Sequence, residues 1–192
     1  MKVFNFIGAK GGVGTSTTAA MFALSVAANA NKVLFVDATG TKDAHAIFGM
    51  VYGVRDSVQQ INPSLDIICD TRVATLPQDY EVVVVDYGRK PAGGPASIHG
   101  KIIMVVRNDY LALRNAMGVL SDADAVVAIL EPGRALSEQD VCAVCNYDDV
   151  PVVSLPYDPV IARAVDAGLM CSRYQHGSAA MQDLSEALFV YA

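Results

Sequence analysis

Long apolar runs are missing from this sequence. Stretches such as Val82–Val85 and Ile102–Val106 are strand-length, and none approaches the roughly 20 residues a membrane-spanning helix needs. No signal-peptide pattern opens the chain either: Lys2 is followed at once by an apolar strand and a glycine loop. A cytoplasmic protein is the expectation. Basic charge is scarce, with 14 Lys and Arg against 20 Asp and Glu and a net charge of −6. That balance argues against a large basic footprint for nucleic acid, although a local patch stays open. Cysteine and histidine are few and dispersed. Cys142 and Cys145 make a C-x-x-C with no second pair at zinc-like spacing, so thiols sharing one buried helix face are expected. His45, His99 and His176 form no cluster and are expected in loops or at the surface.

What is present is an alternation of strand-like and helix-like segments, with no internal repeat. The strand candidates are 2–7, 32–37, 65–69, 81–86, 101–107, 125–130 and 151–155; the helix candidates are 16–29, 43–49, 55–61, 109–120, 137–146, 160–167 and 178–190. The strands are continuous Val/Ile/Leu runs, as expected when both faces of a sheet are covered. The expectation is an α/β three-layer sandwich: a mostly parallel sheet of about seven strands with helices on both faces, forming one domain over residues 1–192. About a dozen residues separate the strands at 65–69 and 81–86, and a covering helix there is not expected. The turn-rich stretch Gly88–Gly100 reads as a loop at the site.

The chemistry-bearing segment is Ala9-Lys10-Gly11-Gly12-Val13-Gly14-Thr15-Ser16-Thr17, which follows an apolar strand and opens an alanine-rich helix. A glycine loop at a helix N-terminus aims backbone N–H groups and the helix dipole at an anion. A standard P-loop has lysine after its last glycine; here Thr15 stands there, and Lys10 is the loop's only lysine. Binding survives that change more easily than fast chemistry. A dinucleotide site is the rival reading, since Gly12, Gly14 and Asp37 fit part of its pattern, but its third glycine is Thr17. Ser16 and Thr17 instead supply the hydroxyls of a magnesium-nucleotide loop. Independently, Val82–Asp86 is an apolar strand delivering a carboxylate at its C-terminal end, where a Walker B acid holds Mg²⁺ directly or through water. Together these favour a nucleoside triphosphate.

Lys10-Gly11-Gly12-Val13-Gly14-x-Ser16-Thr17 resembles the deviant Walker A loop of the MinD/ParA ATPases, and the resemblance extends over most of the chain. Val33–Asp37 resembles the strand ending in their switch I aspartate, Asp86-Tyr87-Gly88 their switch II, and Pro156-Tyr157-Asp158-Pro159 the loop that packs on adenine. The resemblance implies bound ATP and Mg²⁺. Phosphates would lie on Gly11, Gly12, Val13, Gly14, Thr15, Ser16 and Thr17, the base on Pro156, Tyr157 and Asp158, and the metal on Ser16 and Asp86. It further implies a nucleotide-dependent homodimer in which Lys10 reaches the partner's ATP, and a switch that positions cargo through an activating or cargo protein.

Three departures bear on how much carries over. Thr15 replaces the second loop lysine, as in the TadZ/CpaE-like pilus-localisation branch, which this loop resembles most. Thr39 replaces the second switch I carboxylate that positions water beside Asp37; Asp43 takes that place if the loop folds back. Glu131 follows the strand where relatives often carry a base-reading asparagine, so adenine over guanine rests on the resemblance. Weak ATPase activity is therefore expected. The alternatives are a nucleotide-binding scaffold without turnover and, against the missing lysine, a small-molecule kinase or ligase. Strong membrane binding is not expected. The last helix has an apolar stripe (Ala180, Met181, Leu184, Leu188) but no basic residue follows Arg173. DNA would need a patch assembled in a dimer from residues such as Arg107, Arg114 or Arg173.

Overall fold

In the computed structural model, residues 1–29, 32–50, 57–69, 79–89, 99–145, 149–174 and 179–190 are described. They build one eight-stranded sheet in the order β3-β4-β2-β5-β1-β6-β7-β8. The strands are β1 (Lys2–Gly8), β2 (Val33–Asp37), β3 (Gln59–Asn62), β4 (Leu65–Cys69), β5 (Val82–Arg89), β6 (Lys101–Arg107), β7 (Ala125–Leu130) and β8 (Val152–Pro156). All neighbouring pairs are parallel except β3 with β4. The helices are α1 (Thr15–Ala28), α2 (Asp43–Ile47), α3 (Tyr110–Met117), α4 (Glu138–Cys145), α5 (Pro159–Asp166), α6 (Met170–Arg173) and α7 (Ala179–Val190).

The central strands are buried on both faces, which is why they are runs of valine and isoleucine rather than alternations. One face carries Phe4, Phe6, Phe35 and Val84, packed against α1 and α7; the other carries Met104, Val106 and Val126 against α3 and α4. Helix α1 is apolar and buried along nearly its whole length because α7 covers the side that the sheet does not. Ser25 and Ser185, both buried, resolve their polarity on each other at 2.9 Å. The apolar stripe of the last helix is thus a packing face: Met181, Leu184 and Leu188 are buried, and Phe189 stacks with Phe22.

The structure corrects several expectations. The sheet has eight strands rather than seven because part of the 55–61 segment, expected as a helix, forms β3. Pro63-Ser64 makes a two-residue hairpin turn between the paired residues Asn62 and Leu65, and Asn62 accepts a hydrogen bond from the Ser64 amide at 2.9 Å. That local turn chemistry outweighs the helical pattern of 55–61. Helix α3 stops at Met117 and a 3-10 turn at Leu120–Asp122 follows; α6 was not anticipated. Gly88 and Arg89 belong to β5, while the remainder of the turn-rich stretch (90–98) and the 70–78 connection lie outside the described residues. Leu184→Ala should destabilise the fold by about 2–5 kcal/mol, read in a urea unfolding curve, because the cavity would open between α7 and α1.

Candidate functional site

The sheet order reverses around β1, so β1 leaves its C-terminal end between those of β5 and β6. An open α/β sheet binds ligands in the crevice at such a point. Here the chain turns from Gly8 into α1 through Ala9–Gly14. Gly12 (φ 76°) and Gly14 (φ 96°) adopt left-handed conformations that side chains disfavour. Gly14 caps α1 without any side-chain hydrogen bond, leaving the first-turn amides directed at the crevice. Val13 faces the opposite way and is fully buried in the core, anchoring the loop from beneath. The structure therefore gives Val13 a packing role for its side chain and leaves its backbone as the part able to meet a phosphate.

A cleft of about 680 Å³ opens over this loop, lined by Lys10, Gly11, Gly12, Gly14, Thr15, Ser16 and Thr17 with Thr39, Asp43 and Arg89. It adjoins a second cavity of about 250 Å³ lined by Pro156, Tyr157, Asp158, Arg107 and Ile129; Gly14, Thr17 and Val165 border both. The fold thus brings the loop and the 156–158 segment, far apart in sequence, to one continuous depression. Asp158 also caps α5, accepting from the Val160 amide at 2.7 Å, which fixes the turn that presents Tyr157.

Asp37 and Asp86 sit beneath the cleft, both buried, in register with each other on β2 and β5. Their situations differ. One oxygen of Asp37 accepts from the Thr39 amide (3.0 Å) and hydroxyl (2.5 Å), and the other accepts from the Ala44 amide (3.2 Å). Asp37 therefore holds loop 38–44 and the start of α2. Asp86 accepts from the Gly88 amide at 2.8 Å through Oδ1, while its buried Oδ2 has no hydrogen-bond partner among the described residues. Burial pushes the Asp86 carboxyl up to about 6, against hydrogen bonds from Ser16 and Gly88 and with the charges of Asp37 and Asp43 adding to the rise. An orphaned, desolvated carboxylate oxygen beside a serine hydroxyl is the donor set a hard divalent cation requires. Ser16 and Asp86 fit Mg²⁺.

Lys10 lines the cleft, but its ammonium is 3.0 Å from Asp109, which caps α3 through the Ala112 amide at 2.9 Å. Burial works against ionisation of Asp109, yet that amide and Lys10 hold its carboxyl below the usual range. Sequence reasoning missed Asp109, although aspartate before a helical segment is a cap signal. It also missed Arg89, and named Arg107 only as one of the basic residues that a DNA-binding dimer patch would need. Arg107 lines the second cavity and lies 3.5 Å from Glu131. His45, expected in a loop or at the surface, is buried on α2 with Nδ1 3.2 Å from Cys69 Sγ. Of the C-x-x-C pair, Cys145 is buried and Cys142 only partly so.

The arrangement has close counterparts among solved structures. The cell division ATPase MinD of Pyrococcus furiosus superposes with a TM-score of 0.81 at 18% identity, covering 100% of this chain and 99% of that one. MinD of Pyrococcus horikoshii, complexed with Mg-ADP, gives 0.78 at 19%, covering 100% and 98%. A ParA family ATPase of Chlorobium tepidum gives 0.70 at 19%, covering 97% of each chain. The chain has the MinD/ParA fold. No protein-family model matches the sequence, and no curated protein matches it. The three-layer architecture that the resemblance implies is thus the one observed. Among the described residues, no helix is long and apolar enough to cross a membrane.

A raised carboxyl favours its protonated form in the folded state. Its contribution to stability is full below the unfolded value of 3.8 and is lost as pH rises through about 6. Asp86→Asn should therefore raise the thermal stability of the cation-free protein at pH 7 by about 1–3 kcal/mol. The same substitution should abolish Mg²⁺-dependent ligand binding. In the unsubstituted protein, calorimetric Mg²⁺ affinity should fall about tenfold per pH unit below 6, because the metal competes with the proton.

Proposed function

We propose that the chain binds Mg²⁺-ATP in this cleft and acts as a nucleotide-dependent dimerisation switch that positions cargo, with slow hydrolysis. The observation that carries the reading is the juxtaposition of a left-handed glycine loop at the N-terminus of α1 with the unpartnered Asp86 oxygen. One device takes phosphate oxygens and the other takes their cation. In this assignment the amides of residues 11–17 cradle the phosphates, Ser16 and Asp86 hold Mg²⁺, and Pro156, Tyr157 and Asp158 border the base. The bound metal would neutralise phosphate charge. A MinD with Mg-ADP among the structures of the same fold supports both ligands.

Lys10 supplies the switch. Paired with Asp109, its charge is neutralised at the rim of its own site. Release would let it reach a γ-phosphate across a dimer, so that association reports on the triphosphate as an arginine finger does. Tyr110 and Leu111, exposed beside Asp109 at the start of α3, are apolar surface suited to that contact. Asp37 and Asp43 are the residues assigned to water: Asp43 borders the cleft, while Asp37 acts through the loop it holds. A cytoplasmic setting and an activating or cargo protein belong to the same proposal.

A second reading, a nucleotide-bound scaffold without turnover, is favoured by one observation. Asp37 holds the loop through both oxygens and is not among the residues that line the cleft, so orienting water falls to the exposed Asp43. Turnover with and without a dimer-promoting partner separates the two.

Light scattering with Mg²⁺-ATP tests the switch. Lys10→Ala should leave the monomer folded and remove the ATP-dependent rise in mass, whereas Asp109→Asn should preserve or increase it. A Lys10→Ala protein that dimerises normally would sink the assignment. Thr15→Lys should tighten ATP binding about 10- to 100-fold, the worth of one charge-assisted hydrogen bond. Basal turnover should stay below about 1 s⁻¹, under the usual enzyme range.

A further inference from the structure

Three side chains of different ligand chemistry meet beside the cleft, and the nucleotide reading uses only one of them. Cys69 and Asp37 are paired in register on β4 and β2, so both leave the sheet on the same face, the face on which α2 brings His45. Cys69 Sγ lies 3.2 Å from His45 Nδ1, and Asp37 Oδ2 lies 3.8 Å from the same nitrogen. The three ligand atoms are all within 4.8 Å of one another.

Two organisations of a carboxylate, an imidazole and a thiol are chemically meaningful. A proton relay places the acid on one ring nitrogen and the nucleophile on the other. Here thiol and carboxylate face one nitrogen, which carries either a single proton or a single lone pair and cannot serve both. Convergence on a common point is instead the arrangement of ligands about an ion. Bonds of about 2.0–2.3 Å to a tetrahedral ion put its ligands roughly 3.3–3.8 Å apart, close to the separations from His45. The donor set decides the class of ion. Mg²⁺ and Ca²⁺ take oxygen ligands, whereas a mixed sulfur, nitrogen and oxygen set suits Zn²⁺ and similar ions.

We propose that Asp37, His45 and Cys69 form a binding site for a borderline-soft divalent transition-metal ion, Zn²⁺ foremost, distinct from the Ser16–Asp86 magnesium pair. Burial lowers the His45 pKa against the opposing pull of Asp37, in the direction ligation favours, whereas burial and Asp37 raise that of Cys69, whose thiol would lose its proton to the solvent as the ion binds. Cys69 is only partly buried, which leaves a way in for the ion and for a water as fourth ligand. Asp37 Oδ2 also accepts from the Ala44 amide, and a carboxylate oxygen has a second lone pair free for a metal. The ion would then tie β4, β2 and α2 together and fasten loop 38–44, whose Thr39, Gly40 and Thr41 line the cleft.

The test uses the full chain, stripped with chelator, kept reduced and titrated with Co²⁺ and then Zn²⁺. One equivalent of Co²⁺ should produce a thiolate-to-metal charge-transfer band that Zn²⁺ abolishes. Cys69→Ser should remove the band and weaken Zn²⁺ more than about 100-fold, beyond the 10- to 100-fold that loss of an outer partner costs. The Cys142→Ser, Cys145→Ser double variant should keep both. No band in the unsubstituted chain, a band that survives Cys69→Ser, or one lost with the C-x-x-C pair would overturn the site. X-ray absorption of the Zn²⁺-loaded unsubstituted protein is independent of any variant's folding. One sulfur among nitrogen and oxygen neighbours is expected; an all-light shell or two sulfurs would refute it.

Discussion

Parallel register is the constraint on which this molecule depends. Pairing of β4 with β2 and of β2 with β5 runs without a slip to the last residue, so Cys69, Asp37 and Asp86 end in one row. A shift of one residue in β2 would turn Asp37 to the other face of the sheet. It would take with it the hydrogen bonds that hold loop 38–44 and the start of α2. The row is costly, because the buried Asp37 carboxylate stands beside Asp86 and disfavours its charge. The cost is tolerated differently at each position. Asp37 is satisfied by amides and a hydroxyl. Asp86 is left with an oxygen that no group in the described structure meets, which is the pattern expected of a ligand site rather than of a structural one.

Charge around the cleft follows from the same arrangement. Thr15 removes the cation that a P-loop normally carries, and Lys10 is engaged by Asp109, while Asp43 and Asp86 add negative charge near the loop. Among the described residues, Arg89, at the end of β5, is the remaining cation lining the cleft. Among the described residues, a bare triphosphate would thus meet oriented amides but little positive charge. On the proposed function, metal and nucleotide bind as one unit, because each offsets the charge that opposes the other.

Much of this was legible in the sequence, and the parts that were not share a physical reason. Continuous apolar strands announced a sheet covered on both faces, and the glycine loop announced its own conformation, since both signals are local. Seven strands were read correctly to within a residue or two at most of their ends. β3 was missed because a short, half-exposed edge strand is specified by its turn, Pro63-Ser64, rather than by its own residues. The pairing of Lys10 with Asp109 and the meeting of His45 with Cys69 were invisible because they depend on strand order, which places residues 99 and 24 positions apart in contact. Scattered histidines look unremarkable in one dimension. A parallel sheet gathers its strand ends, and residues dispersed in the chain become a cluster.

On the proposed function, a weak contact would serve as the switch, and the magnitudes are consistent with that. Lys10 and Asp109 both retain some exposure, and an ion pair of that kind is worth at most about 1 kcal/mol. Such a latch costs little to open, so the competing γ-phosphate needs only a modestly better interaction with the same ammonium. A stronger, fully buried pair would hold Lys10 whatever nucleotide was present, and a ligand shifts an equilibrium only by its differential affinity for the two states. On the proposed function, weakness here is what would make the lysine responsive, and its position between the loop and the first turn of α3 would let one charge couple phosphate occupancy to an exposed apolar surface.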